Sequence, residues 1–318
     1  MNSNKKTPLI KLTDPLFEAH KITVYMKREE LNHPHIQGNK WHKLTFNLQA
    51  ATEQHKTTLL TFGGAYSNHI AATAVAAQEL GFKSIGIIRG EELARYPEKW
   101  SHTLQQAAQH GMTFQFITRT AYRQKSTPSV LKQLQSDYPE AYIIPEGGSN
   151  ALAVKGFEPL MQHIETQCPN WTHLLSAVGT GSTLAGLIKY APFKDYNSKE
   201  THSNLRTILG IPVLKQGDYL KPQIQTWLGE TPAHPWKLLT DYHCGGYAKT
   251  SEPLLRRMQA FEQTFDIPLD PVYTAKMVYA FYDQLKQGTF KPGSKVILLH
   301  TGGLQGRKLE GTMRNKQG

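Results

Sequence analysis

Four short stretches of the chain carry residue types that could do chemistry. In Gly38-Asn39-Lys40, with Lys43 three residues on, two amines share one helical face. Repulsion between two ammonium groups favours losing one proton, and a neutral amine is what Schiff-base chemistry requires. Gly63-Gly64-Ala65-Tyr66-Ser67-Asn68-His69 follows an apolar run. Its glycines free the backbone for close approach, and the next helix offers unpaired N–H groups to a substrate carboxylate. Val178-Gly179-Thr180-Gly181-Ser182-Thr183 is small, hydroxyl-rich and opens a helix, as a phosphate cradle must. It lacks dinucleotide glycine spacing and the lysine of a triphosphate loop, so a single phosphate monoester suits it. His300-Thr301-Gly302-Gly303 closes the last apolar run, where Thr301 could meet a buried ring nitrogen.

Three of the stretches also have an ordinary structural reading: solvated lysines, a serine-capped turn, a satisfied strand end. Together they supply an amine for an aldehyde, a cradle for a phosphate and a partner for a pyridine nitrogen. Those are the three contacts pyridoxal 5'-phosphate needs.

Short apolar runs alternate with longer periodic segments, the α/β pattern. Strands are expected at Ile22 to Met26, Thr58 to Phe62, Ser84 to Arg89, Thr113 to Thr118 and Tyr142 to Pro145. Three more follow at Leu174 to Val178, Thr207 to Ile211 and Val296 to His300. Trp41, Leu44, Leu48 and Ala51 recur at helical spacing, so a helix starts near Lys40. Further helices are expected at Asn68 to Leu80, Leu104 to His110, Leu184 to Tyr190, Leu254 to Phe265 and Ala275 to Leu285. Leu255, Met258, Phe261 and Phe265 would form the buried face of the fourth of these. Gly147-Gly148-Ser149-Asn150 is a turn with a cap at Ser149 or Asn150, and marks a crossing between lobes. The four strands between residues 58 and 145 would form one small parallel sheet with helices on both faces. Residues 192–204 read as a polar loop, and the C-terminus as frayed.

The 318 residues are ample for two lobes. Two cysteines, Cys168 and Cys244, show no metal or disulfide spacing, as in a reducing cytoplasm. No window approaches a membrane span, and the polar start lacks a secretory core, so a cytoplasmic location is expected. The formal charge of +11 raises nucleic acid as a partner. The basic residues are nevertheless dispersed, the tightest group being Arg307, Lys308, Arg314 and Lys316 at the C-terminus. No nucleic-acid partner is expected. A generally basic surface that attracts small anions accounts for the charge.

In these motifs and their order the chain resembles the D-cysteine desulfhydrase and 1-aminocyclopropane-1-carboxylate (ACC) deaminase family. The likeness runs from Tyr25-Met26-Lys27-Arg28-Glu29-Glu30 to His300-Thr301-Gly302-Gly303, through the stretches above and Asp270-Pro271-Val272-Tyr273. It implies the two-lobed α/β architecture of tryptophan-synthase-β-like pyridoxal enzymes (fold type II), each lobe a mostly parallel sheet flanked by helices. Residues 1–44 with 148–318 would form the large cofactor-binding lobe, and 45–147 the small one. It also implies a homodimer. By matching positions, Lys40 would carry the cofactor, Asn68 would contact its ring hydroxyl, and Gly179, Thr180, Gly181, Ser182 and Thr183 would take its phosphate, with Lys43 a further cofactor-binding residue. Thr301 would face the pyridine nitrogen. Ser67, Asn68 and His69 would make the substrate side, with Ser67, Tyr273 and Tyr247 as catalytic groups beside Lys40.

Where deaminases resemble one another in a glutamate after Asp-Pro-Val-Tyr and a leucine before the last glycine pair, this chain has Thr274 and Thr301. That matches the desulfhydrase branch. The expected reaction is β-elimination from a small amino acid, with D-cysteine giving pyruvate, hydrogen sulfide and ammonia. ACC deamination, or elimination from another β-substituted amino acid, is the alternative. A basic nucleic-acid-binding protein on an enzyme fold is the alternative from another class. The chain departs from the family pattern at Gln37, Trp41-His42, Tyr66, Ile70-Ala71-Ala72 and Leu304-Gln305-Gly306. These departures touch the substrate side more than the cofactor side.

Overall fold

The structure is a computed structural model that describes residues 6–192, 206–229, 232 and 234–307. From residue 193 on, the expected loop lies outside the described residues, as do Lys308, Arg314 and Lys316. Ten strands make two sheets among the described residues. β1 (Leu9–Leu12), β2 (Thr23–Lys27), β7 (His173–Val178), β8 (Thr207–Pro212), β9 (Trp236–Leu238) and β10 (Lys295–Leu299) form one, in the order β1-β2-β10-β7-β8-β9. β3 (Thr58–Gly64), β4 (Lys83–Arg89), β5 (Met112–Ile117) and β6 (Ala141–Ile144) form the other, in the order β5-β4-β3-β6. Every pairing is parallel except β1 with β2.

Both faces of each sheet are covered, which is why the strands read as continuous apolar runs. Along β10, Val296 and Leu298 enter one core, with Val24, Leu175 and Ile211, while Ile297 and Leu299 enter the opposite one, with Leu174, Val178 and Ile208. In β3 the same alternation sends Leu59 towards helices 39–53 and 68–80, and Leu60 and Phe62 towards Tyr122 and Leu134.

All eight expected strands are present within two residues of their expected ends. β1 and β9 were not expected; four and three residues are too short to show a period. The helix Glu252–Phe265 requires a correction, because Leu255 is 45% exposed while Leu254 is fully buried. Leu254, Met258 and Phe261 line the core, with Phe265 packed at its edge. Leu254, Met258, Phe261 and Phe265 lie at i, i+4, i+7 and i+11, so Leu254 and not Leu255 continues the buried stripe. Asn150, not Ser149, caps the helix Ala151–Lys155, accepting the Ala153 N–H at 2.8 Å. Among the described residues no helix is long and apolar enough to cross a membrane.

Candidate active site

The ends of β3, β7 and β10 bring the four stretches together, as open parallel sheets do at their C-terminal edges. The helix bearing Lys40 (Asn39–Glu53) begins against the end of β10. Asn39 N–H donates to the Thr301 carbonyl at 3.2 Å. Gly38 has φ +66°, and a Cβ there would lie 2.0 Å from the same carbonyl oxygen, so only glycine fits. Asn32 braces the turn, donating to Gly38 O at 2.9 Å and accepting from Gly38 N at 3.0 Å.

Lys40 Nζ donates to Asn39 Oδ1 at 3.0 Å, and Asn39 Nδ2 donates to Thr183 Oγ1 at 3.0 Å. The amine is thereby tied to the glycine-rich loop of residues 179–183. Lys43 Nζ donates to Gly147 O at 3.0 Å, Ser149 Oγ at 3.2 Å and Thr180 Oγ1 at 3.2 Å. Ser149 lies 2.5 Å from Thr180 Oγ1 and accepts from Ser182 Oγ at 3.0 Å. Burial lowers the Lys40 pKa to about 8, with Asp270 opposing the shift. Lys43 falls well below its ordinary value through burial and then the charge of Lys40. This corrects the sequence argument, because burial supplies the neutral amine at Lys40 and the repulsion falls chiefly on Lys43.

Ser67 caps the helix Asn68–Leu80, accepting Ile70 N–H at 3.4 Å. The buried Asn68 Oδ1 has no partner, and Asn68 Nδ2 would lie 3.3 Å from a Cβ on Gly303. Asp270 flanks the same glycine. His69 is placed differently from Ser67. It is buried, with Nε2 2.8 Å from Thr61 Oγ1, whose hydrogen goes to Ile144 O at 2.9 Å. Nε2 therefore carries the proton, and the unpartnered Nδ1 lies on the side of Gly148 and Lys43 rather than among substrate groups.

Tyr273 sits over Gly179, where a Cβ would lie 3.3 Å from the ring. Asp270 Oδ1 positions it by accepting Val272 N at 3.0 Å and Tyr273 N at 2.5 Å. Tyr247 meets it edge-on, with ring centroids 6.3 Å apart. Burial drives the Tyr273 hydroxyl well above its ordinary pKa, with Tyr247, Asp270 and Glu146 adding to it. Thr274 is committed to Asp270, accepting its N–H at 2.7 Å and donating to its carbonyl at 3.2 Å. Of the two threonines that set the chain apart from deaminases, Thr301 is the one at the end of β10 beside Gly38, and its side chain is buried. Behind it, His300 directs Nε2 to Pro268 O at 2.8 Å and Nδ1 to Glu30 at 3.1 Å.

The geometry adds residues that the motifs did not single out. Asn39 was in view but assigned no task. Asp270 lay inside a quoted motif, and burial raises its carboxyl to about 7. Lys276 is fully buried and donates to the carbonyls of His243 and Gly246, both at 2.8 Å, holding the loop that carries Tyr247. Nothing in a helical lysine's sequence context signals that role.

Comparison with known proteins identifies the family. The family described as pyridoxal-phosphate dependent enzyme matches residues 1–302, so the chain belongs to it. A Pyrococcus abyssi protein provisionally named an ACC deaminase is 28% identical over 90% of this chain and 86% of its own. A D-cysteine desulfhydrase of Yersinia pestis is 27% identical over 93% of this chain and 91% of its own. The crystal structure of an ACC deaminase homologue superposes with a TM-score of 0.77 at 26% identity, covering 96% of this chain and 92% of that one. The tryptophan-synthase-β-like fold, the cofactor class and the resemblance to this family therefore stand.

Proposed function

We propose that the chain catalyses β-elimination from a small amino acid, D-cysteine first among candidates. The observation that carries the proposal is the pair of lysines. Lys40 has an amine with a pKa of about 8, and among the described residues Lys43 is held by the neutral oxygens of residues 147, 149 and 180 alone. A buried ammonium without a carboxylate partner is costly, and a phosphate at residues 179–183 would supply the missing anion. The donors fit pyridoxal phosphate: Lys43, Thr180, Ser182 and the helix N-terminus for the phosphate, Asn68 for the ring hydroxyl, Thr301 for the pyridine nitrogen. Bound there, the cofactor supplies an aldehyde for amines and an electron sink for charge left at Cα.

The protein groups do the rest. Ser67 and the N–H groups following it hold the substrate carboxylate. Lys40, once displaced by the substrate amine, takes the α-proton at Nζ. The electron pair of the broken Cα–H bond forms a Cα–Cβ double bond as the β-substituent leaves with its own pair. Water then converts the enamine to a keto acid and ammonia. Tyr273 and Tyr247 shape the leaving-group side, and their raised pKa values keep both hydroxyls protonated at neutral pH. Borohydride reduction of the yellow holoenzyme should label Lys40, and Lys40→Ala should abolish keto-acid release. Screening D- and L-cysteine, other β-substituted amino acids and ACC by keto-acid assay tests the substrate. Full activity in Lys40→Ala would end the proposal.

A further inference from the structure

β3 and β4 end in register, Gly64 opposite Arg89, at the edge where the loop of residues 64–68 turns into its helix. The Arg89 guanidinium lies over that loop: a Cβ on Gly64 would be 3.4 Å from Nη2 and 4.0 Å from Cζ and Nε. Its Cζ also lies 5.8 Å from the centroid of the Tyr122 ring. Tyr122 is itself fixed, being buried and donating its hydroxyl to Glu146 at 2.7 Å.

Glu146 is the carboxylate whose charge is felt here, and both its oxygens are spent. One accepts from Tyr122 and the other pairs with Lys125 at 3.0 Å. Lys125 also stands over the Tyr122 ring, at 4.5 Å. Glu146 is thus committed to Tyr122 and Lys125, and Arg89 makes no ion pair or hydrogen bond among the described residues. Its charge lowers the pKa of the Tyr247 hydroxyl slightly, against the larger upward push of burial. Arg89, exposed at this edge, therefore stands against the loop proposed for the substrate's α-carboxylate.

We propose that Arg89 binds a second negative charge on the substrate, so that the chain selects small amino acids whose β-substituent is a sulfur or phosphorus oxyanion. The inference rests on the β-elimination proposed above. A planar guanidinium with five donors matches a sulfonate or phosphate in two-point contact, whereas the thiol of cysteine offers it nothing comparable. In the reaction the Cα–H pair becomes the Cα–Cβ double bond, and the Cβ–S or Cβ–O bond breaks with its electrons leaving on sulfite or phosphate. No oxidant or reductant enters.

The test compares holoenzyme and its Arg89→Gln and Arg89→Lys variants on 3-sulfoalanine and O-phosphoserine (both enantiomers of each), with β-chloroalanine as the neutral reference. Keto-acid release is followed. Arg89→Gln should lower kcat/KM for an oxyanion substrate by about 10–100-fold, mainly through KM, and leave β-chloroalanine within about twofold. Arg89→Lys should recover part of the loss. Equal losses on charged and neutral substrates, or no preference in the unaltered enzyme for either oxyanion, would overturn the inference while leaving elimination intact. If no substrate yields keto acid, elimination itself falls. The inference then stands or falls on affinity for 3-sulfoalanine read from the visible spectrum, and equal affinities with and without Arg89 would overturn it.

Discussion

Replacing Asp270 by asparagine separates the two influences on Lys40. Burial pushes the Lys40 pKa down from its ordinary 10.5, Asp270 opposes this, and the balance is about 8. At pH 7.5 a group of pKa about 8 is neutral in about a quarter of molecules, against about one in a thousand at 10.5. Burial thus gains about 250-fold in reactive amine. Asparagine keeps the oxygen that accepts Val272 and Tyr273 N–H, so the turn survives while the charge is lost. The Lys40 pKa must then fall further. Because a quarter of the amine is already neutral at pH 7.5, the gain there is capped at about fourfold, and at pH 9 it vanishes. Below pH 7 Asp270 is itself protonated, having been raised to about 7 by burial, so the two proteins converge again. The assay is the rate at which apoenzyme captures pyridoxal phosphate, followed by visible absorbance from pH 6 to 9. A variant curve displaced towards higher pH, or a gain that persists at pH 9, would refute the electrostatic account of Lys40.

Other perturbations follow from the same contacts. Lys43→Met removes one charged donor from the phosphate, so pyridoxal phosphate should bind about 10–150-fold more weakly while phosphate-free pyridoxal is unaffected, as fluorescence titration would show. Gly38→Ala drives a Cβ into the Thr301 carbonyl at φ +66°, and should cost at least about 3 kcal/mol in urea melts of the apoenzyme and impair cofactor loading. Burial raises the Glu29 carboxyl, but His42 at 2.6 Å, Lys27 and Thr7 outweigh it and hold the pKa at about 2 against an ordinary 4.5. A depressed carboxylate stabilises the fold above its unfolded pKa and loses that contribution as pH falls from 4.5 through 2. Glu29→Gln should therefore cost about 3 kcal/mol at pH 7, and the difference should disappear in denaturant melts near pH 2.

The sequence exposed those parts of the site whose chemistry is local. A glycine-rich strand-to-helix turn must present N–H groups whatever surrounds it, so the loop at 179–183 could be found without knowing what it faced. The same holds for Ser67 as a helix cap and for the parallel strands buried on both faces. What stayed hidden depends on contacts across long chain separations. Lys43 reaches Gly147 and Thr180, which no spacing rule connects, and the Lys40 shift comes from burial, which two neighbouring lysines do not reveal. Lys276 looks like a solvated helical residue until three carbonyls converge on it. The Leu255 error has a similar cause, since Leu254 and Leu255 are equally apolar and only the packed neighbour decides which turns inward.

That contrast bears on which half of the site can vary. The cofactor side is cross-braced: Gly38 against Thr301, Asn39 against Thr183, Lys43 against three oxygens, each contact joining elements that also carry the core. A change at any one strains the others, so substitutions there are felt by the fold as well as by the chemistry. The substrate side is different. Tyr66 is 70% exposed, Tyr247 40% exposed, and Arg89 touches the loop without bonding to it. Residues attached by so few contacts can be exchanged at little cost in stability, which leaves them free to set which amino acid is accepted. Double replacement supplies the check. Tyr66→Ala with Arg89→Gln should leave the unfolding free energy within about 1 kcal/mol of the parent and alter only substrate preference, whereas Asn39→Ala with Thr183→Val should lower both stability and cofactor affinity.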